Sequence, residues 1–566
     1  MTPDLDLAIR GGTVVDGTGA ARFRADVGVR DGAIVEVGTL SGPAVTELDA
    51  SGCYITPGFV DPHTHLDAQL CWDPAARPSS LHGVTTVVLG LCGFGVAPCA
   101  PGGREYLLRS LEVVEEIPYE STRLGVPFGW TSWIEYFDHV GRQPLTVNVA
   151  GFVPHSALRY HVMGDRARGQ AATQADREAL ATELSAALEA GAVGFATSRG
   201  PNHVDAFGEP VPSRFADDDE LRALVAACRG RVWQINVETK FSGDARGLIA
   251  EVDQYASWSE AAGARLSWTP LHAEPGTTVW RQVMARNEVL NERRGLVVAP
   301  QVAASPITTV FRFDEFSYLA FVPGWSALTD GFYDLNEADK LARLRDPDVR
   351  ARLRDAPVDP AVMFAPDFSN WIVLASSSRP ATEGRSVQDL GVERRGDPVD
   401  VLCELVVADH LRTLIQVPAV NRDHAAAATL IRDPHTLLGL GDAGAHVRTI
   451  NNFSYPSHVL AVLVRDEGRV DLETAVNRLT DRPANVLGLP NRGRIEVGRA
   501  ADLVVVDLDA LGVGPIRISH DLPGGAPRIV QDARGYRAIA VNGVVTVQDG
   551  EPTSRAPGEL VRSAAR

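Results

Sequence analysis

Two histidines one residue apart, His63 and His65, close the stretch Gly58-Phe59-Val60-Asp61-Pro62-His63-Thr64-His65-Leu66-Asp67. The apolar run before them, residues 54–60, reads as a buried strand. Side chains at i and i+2 of a strand share one side, so both imidazoles can aim at one point. Imidazoles that converge at a strand end suit zinc or a similar divalent cation. An isolated HxH pair would read as two polar loop residues. The strand in front of this one and the pattern that follows it favour a metal site.

Such groups act together only if a fold collects them, and the middle of the chain has a pattern that can. Thr173, with Asp176 three residues on, has the spacing of a capping box. Leu180, Leu184 and Leu188 recur at helical spacing, Gly191 ends the helix, and an apolar strand follows. The unit repeats: a helix over 217–228 before a strand at 231–237, then a helix over 250–262 before a strand at 264–268. Successive βα units imply a parallel sheet, and about eight of them imply an α/β TIM (β/α)8 barrel. We place its strands near 54–62, 84–92, 145–153, 192–198, 231–237, 264–269, 295–301 and 437–442. The long gap before the last strand reads as a lid insertion over about 303–400, including 311–322 and 362–375. The two chain ends carry short strands with Asp31-Gly32 and Asn542-Gly543 as hairpin turns. We expect them to combine into a small discontinuous β-sandwich. The expected division is 1–57 and 485–566 for the sandwich and 58–484 for the barrel.

In a TIM barrel, reactive groups sit at the C-terminal strand ends. Those ends carry His63 and His65 on the first strand, Cys92 on the second and His155 on the third. The fifth carries Gln234, Asn236, Glu238 and Lys240, the sixth Trp268 and His272, and the seventh Gln301. The eighth ends in Gly441-Asp442-Ala443-Gly444-Ala445-His446, with Arg448 just beyond. Two histidines, a cysteine and an aspartate on one rim make a zinc site. A free cysteine is often a small buried hydrophobe, and an aspartate between glycines can be a turn residue. Strand-end placement favours ligand roles for both.

Composition bounds the partners. The 566 residues suffice for a large core, and 22% charged with 45% hydrophobic residues is ordinary for a globular protein. A net charge of −18 argues against nucleic acid or an anionic membrane as partner. The only lysines are Lys240 and Lys340, which limits any mechanism that needs lysine. Neither a secretory leader nor a membrane span is apparent, and six cysteines do not suggest a disulfide framework. A cytoplasmic enzyme acting on a small molecule is the expectation, with homo-oligomerisation left open.

Several motifs carry a family resemblance over nearly the whole chain. The chain resembles the metal-dependent amidohydrolase superfamily and, within it, the D-aminoacylase (N-acyl-D-amino-acid deacylase) branch. Ile9-Arg10-Gly11-Gly12-Thr13-Val14-Val15-Asp16-Gly17 resembles the superfamily's opening strands. Residues 58–65 resemble its first metal motif. Gly83-Val84-Thr85-Thr86-Val87-Val88, leading to Leu91-Cys92-Gly93, resembles the branch's cysteine motif. Residues 191–198 resemble its fourth strand, and residues 498–507 the return into the sandwich. The resemblance also implies a metal-binding histidine on the fifth strand, in a His-x-Arg-x-Glu setting, and another on the sixth, in Ser-His-x-Lys. This chain has Gln234-Ile235-Asn236-Val237-Glu238 and Ser267-Trp268-Thr269-Pro270 there. Glutamine is a poor zinc ligand and tryptophan is none. We therefore expect one Zn2+ per chain, held by His63, His65, Asp442 and Cys92, with His272, Glu238 and His155 as reserve ligands.

The chemistry expected of that site is hydrolysis of a C–N amide bond, with a metal-activated water as nucleophile and Asp442 as general base and then acid. His155 or His446 would stabilise the oxyanion, and Arg448 would pair a substrate carboxylate. Glu238, Lys240, His272 and Gln301 complete the set expected to face substrate. Three readings stay open: an N-acyl amino acid amidohydrolase; a cyclic amide, imide or lactone hydrolase or a non-hydrolytic lyase; and a binding protein without catalysis.

Overall fold

The computed structural model describes residues 4–239, 245–273, 278–314, 319, 322–357 and 365–564. Parallel strands succeed one another in chain order: β1 (Phe59–Asp61), β2 (Val84–Leu89), β3 (Asn148–Gly151), β4 (Gly194–Ser198), β5 (Val232–Asn236), β6 (Arg265–Leu271), β7 (Val298–Ala303) and β8 (Leu437–Gly439). Every residue of β2, β4 and β7 is buried, because one face meets the interior and the other the surrounding helices. The register sets which side chains share a level: Gln234 lies beside Ser267, and Asn236 beside Thr269. β3 breaks at Phe152; its first part pairs with β2, and the short strand Val153–Pro154 pairs with β4. Among the described residues β8 meets β1 through a single bridge, Thr64 with Ala443, where the His65 N–H donates to the Ala443 carbonyl at 2.7 Å.

The helices form where local chemistry starts them. Gln174–Glu189 begins at a reciprocal cap between Thr173 and Asp176 and buries Leu180, Leu184 and Leu188. Asp218–Ala227 begins at Asp217, whose side chain accepts from the Glu220 N–H.

The segment expected as one strand over 54–62 is two. Tyr54–Pro57 pairs with Leu503–Val506, and the parallel sheet starts only at Phe59, after Gly58. At Gly58 an added Cβ would lie 2.1 Å from Thr85 Oγ1, so only glycine lets the chain pass from one sheet to the other. Tyr54–Pro57 is thus an inner strand of a seven-stranded sheet built from both chain ends. That sheet faces a four-stranded one (Leu5–Arg10, Asp26–Arg30, Ala33–Gly38, Ala44–Asp49) across a shared core of Ile9, Val27, Val29, Ile55, Leu503 and Val505. The Asn542-Gly543 turn has φ of 46° and 77°, as a tight two-residue hairpin requires.

Beyond β7 the chain builds a separate core from Phe311, Trp325, Leu344, Trp371, Leu402 and Ile415. Its antiparallel sheet joins Ile372–Ala375, Leu414–Val420, Ile307–Phe311 and Ile450–Asn451, so this unit runs on past residue 400. Ile307–Phe311 follows closely on β7, and Ile450–Asn451 lies beyond β8, past His446. No helix among the described residues is long and apolar enough to cross a membrane.

One buried ion pair joins the end sheets to the parallel sheet. Asp502 accepts from Arg492 Nη1 at 2.7 Å, from Asn148 Nδ2 of β3 at 3.0 Å and from the Asn542 N–H at 2.9 Å. Asp502→Ala takes from the buried Arg492 guanidinium its buried carboxylate partner, leaving it the exposed Glu559 and the Asn542 side chain, and should cost about 2–4 kcal/mol in urea unfolding. A loss below about 1 kcal/mol would mean that this joint contributes little.

Candidate metal centre

The residues after β1 carry the two histidines, and each has its Nδ1 engaged. His63 Nδ1 donates to Gln301 Oε1 at 2.5 Å, and Gln301 Nε2 donates onward to Ser267 Oγ at 3.0 Å. His65 Nδ1 lies 3.2 Å from Glu115 Oε1. With both Nδ1 atoms held, the Nε2 atoms are the ones presented to Asp442, whose Oδ1 is 3.3 Å from His63 and 3.8 Å from His65. Cys92 Sγ is 3.4 Å from His63 Nε2. Ligand atoms of His63, His65 and Cys92 all lie within 4.8 Å of one another, and all three residues are buried. The Asp442 side chain keeps 21% exposure, which places it at the mouth of the cluster.

The backbone is forced into place. Cys92 (φ 53°), Asp442 (φ 45°) and His446 (φ 45°) all adopt left-handed conformations. Such residues cost of order 1–3 kcal/mol each and persist where their surroundings over-determine them. The Cys92 N–H donates to Gln234 Oε1 at 3.1 Å, and the Asp442 N–H donates to the His63 carbonyl at 3.1 Å. Gly441 is required beside Asp442, since an added Cβ would lie 2.2 Å from Asp61 Oδ2.

The electrostatics are those of a crowded anionic pocket. Burial, reinforced by the Asp442 charge, pushes Asp61 and Glu115 each up to about 8. Burial raises Asp67 to about 7 and lifts the Cys92 thiol well above its ordinary range. His65 is driven well below its ordinary value by burial and by the neighbouring imidazoles. The carboxyls and the thiol would stay neutral beside one another, and a divalent cation reverses that preference, while it reinforces the neutral imidazole of His65. Two imidazole nitrogens, a thiolate and a carboxylate are a donor set suited to zinc. His446 is the exception: burial lowers it, but Glu116, Glu115 and Asp442 outweigh burial and raise it to about 9.

The structure brings His63, His65, Cys92 and Asp442 together and disperses several other candidates. His155 is not available to a substrate, because its nitrogens bond Thr197 Oγ1 and Glu220 Oε1, both at 2.8 Å, in a buried network with Arg159. Glu238 is exposed, and its N–H donates to Glu251. Gln301 is engaged with His63 and Ser267. Trp268 does not face the rim: alternation along β6 gives Ser267 the inward place, and Trp268 turns the other way, fully buried. His272, lowered by burial to about 4, is outside the ligand cluster. His446 lies beside Glu116, 3.6 Å away, and Arg448 is exposed but acts electrostatically on the same glutamate. Lys240 lies outside the described residues.

Residue-by-residue reading missed Glu115 and His203. Glu115 caps the C-terminal end of the helix Arg104–Val114, where the helix dipole disfavours an acid; that mismatch was the available signal. His203 follows β4, bonds Ser198 Oγ at 2.6 Å and packs edge-on against Phe94. Burial, then His446, Arg214 and His63, lower it to about 3.

Comparison with known proteins gives the chain a family. The family model described as "Amidohydrolase family" matches residues 46–343 and 379–553. An N-acyl-D-aspartate deacylase and an N-acyl-D-glutamate deacylase of Alcaligenes xylosoxydans xylosoxydans are 27% and 28% identical. These alignments cover 98% and 100% of this chain and 95% and 98% of the relatives. The crystal structure of an N-acyl-D-glutamate deacylase from Bordetella bronchiseptica, with zinc and a phosphonate mimic of the tetrahedral intermediate, is 26% identical. It superposes with a TM-score of 0.64 over 99% of this chain and 100% of that one. A D-aminoacylase with a binuclear metal centre, 22% identical over 99% of this chain and 100% of that one, shares the fold with the same TM-score.

The bond from Gln301 to His63 makes a measurable prediction. Gln301→Leu frees the His63 ring and should weaken zinc binding to the apoprotein about 10–100-fold, read by competition with a chromophoric chelator. Unchanged affinity would mean that His63 is oriented by packing alone.

Proposed function

The chain belongs to the amidohydrolase family, and from that premise we propose that it removes the acyl group from an N-acyl-D-amino acid. It is a hydrolase of carbon–nitrogen bonds other than peptide bonds. The observation that carries the reading is the meeting of His63, His65, Cys92 and Asp442 at the ends of β1, β2 and β8. Full-length similarity to three deacylases, two of them named for acyl-D-aspartate and acyl-D-glutamate, supports the substrate class. The strand order β1 to β8, with the Thr64–Ala443 bridge, supports a closed (β/α)8 barrel with the end sheets as its extra domain.

His63, His65, Cys92 and Asp442 would hold one zinc ion. That ion supplies an activated water and a polarised carbonyl when bound. Asp442, at the mouth of the site, accepts the water's proton on its carboxylate and returns it to the departing amine. His446, cationic at neutral pH, and the Arg448 guanidinium put positive charge on the β8 side, where the carboxylate of an acyl amino acid would lie. Glu115 holds the His65 ring and exchanges a proton as the site fills.

Two measurements check this reading. The purified protein should carry about one zinc per chain by elemental analysis, and Cys92→Ser should lose zinc while staying folded. Two fully occupied metals, or undiminished zinc in the serine variant, would overturn the ligand set. On a panel of N-acetyl-D- and N-acetyl-L-amino acids, the wild type should turn over D substrates. Asp442→Asn should reduce kcat by at least ~10²–10⁴ with unchanged circular dichroism. Wild-type kcat in that variant would remove Asp442 as the base.

A further inference from the structure

The position where the resemblance implies a metal-binding histidine on β5 holds Gln234, and its amide is only half engaged. Alternation along β5 turns Trp233 outward, where it stacks on Phe195 and Trp258. Gln234 and Asn236 therefore face the interior, and Asn236 Nδ2 lies 4.0 Å from Cys92 Sγ. Gln234 is fully buried. Its Oε1 accepts from the Cys92 N–H, which fixes the amide's orientation, since the flipped amide would set donor against donor. Nε2 is left with no hydrogen-bond partner among the described residues. A buried amide donor without a partner costs about 1–3 kcal/mol. It is tolerated where something else supplies the acceptor.

We infer that Gln234 Nε2 is a substrate-binding donor that hydrogen-bonds the acyl carbonyl oxygen of the amide and holds it as it becomes an oxyanion. This rests on the deacylase reading above. The donor sits on the residue that orients Cys92, whose sulfur is 3.4 Å from His63 Nε2, so it borders the ligand cluster where the scissile carbonyl must lie. The substrate's carboxylate, by contrast, is drawn to the cationic β8 side. In the reaction the water oxygen bonds to the acyl carbon and the C=O π pair moves onto oxygen. That pair returns as the C–N bond breaks, and the amine leaves with the proton carried by Asp442. The charge on oxygen is greatest midway, and a fixed donor stabilises it most there. A second cation's place is thereby taken by a neutral N–H.

Gln234→Glu separates this role from a structural one. The carboxylate keeps the acceptor for the Cys92 N–H and, once ionised, loses the donor, so the assays are run at alkaline pH to hold it ionised against burial. With N-acetyl-D-glutamate and N-acetyl-D-aspartate as substrates, kcat should fall about 10²–10³-fold, with KM within about threefold and the zinc content unchanged. Affinity for the phosphonate analogue of N-acetyl-D-glutamate, measured by calorimetry on the zinc-loaded protein, should weaken in parallel. Gln234→Met lacks both groups, should show the same kinetic loss, and serves if the glutamate variant does not fold. Wild-type kcat and phosphonate affinity in a folded, zinc-loaded variant would reduce Gln234 to a support for Cys92. Wild-type protein that neither turns over these substrates nor binds the phosphonate would overturn the deacylase reading, and this assignment with it.

Discussion

A buried cluster of carboxylates, imidazoles and a thiol cannot all ionise unless a cation shares the space. Asp61, Asp67, Glu115 and Cys92 are each held toward the neutral form by burial, while Asp442 stands within 4 Å of both histidines. The left-handed backbone at Cys92 and Asp442 and the glycine beside Asp61 force these groups together despite their repulsion. A divalent ion at the centre, as proposed, would relieve the crowding by favouring the anionic forms.

Around that centre the chain fixes tautomers as carefully as positions. Gln301 and Glu115 occupy the two Nδ1 atoms, and Gln234 holds the Cys92 backbone. These supports come from β7, from the C-terminal end of the helix Arg104–Val114 and from β5, so no single element defines the site. Glutamines at β5 and β7 lie at one end of the sheet, one engaged at both ends of its amide and the other at one. That asymmetry separates a residue that only orients from one that can also meet a ligand.

The larger architecture keeps the rim in place. Asp502 and Arg492 pin the end sheets to β3. The separate core beyond β7 departs from the same rim and returns to it before β8, and its sheet includes Ile450–Asn451, just past His446. Asn421 Nδ2 bonds the Ala303 carbonyl at the end of β7, and Asn452 Nδ2 donates to the Leu440 carbonyl just past β8, so this unit is tied to both strands that carry the site's later residues.

Much of this was legible in the chain. Alternating strand and helix signals, caps such as Thr173 with Asp176, and the paired turns at both ends follow from local preferences, which the sequence states directly. So do His63, His65, Cys92 and Asp442, because strand-end position alone collects them on one side of a parallel sheet. Strand-end logic also named His155, Glu238 and Gln301, and here it went no further than proximity. Whether a nitrogen is free depends on partners distant in sequence: Glu220 for His155, His63 for Gln301, Gln234 for the Cys92 backbone. The inward place of Ser267 over Trp268 turns on β-register, which no single strand specifies. The split of residues 54–62 between two sheets depended on Leu503–Val506, more than 400 residues away. The sequence by itself determined the class of fold and the chemical types at the rim. Only the tertiary structure decided which of those groups are spent on one another and which remain open to a metal and a substrate, because hydrogen-bond satisfaction in a buried site is settled by long-range contacts.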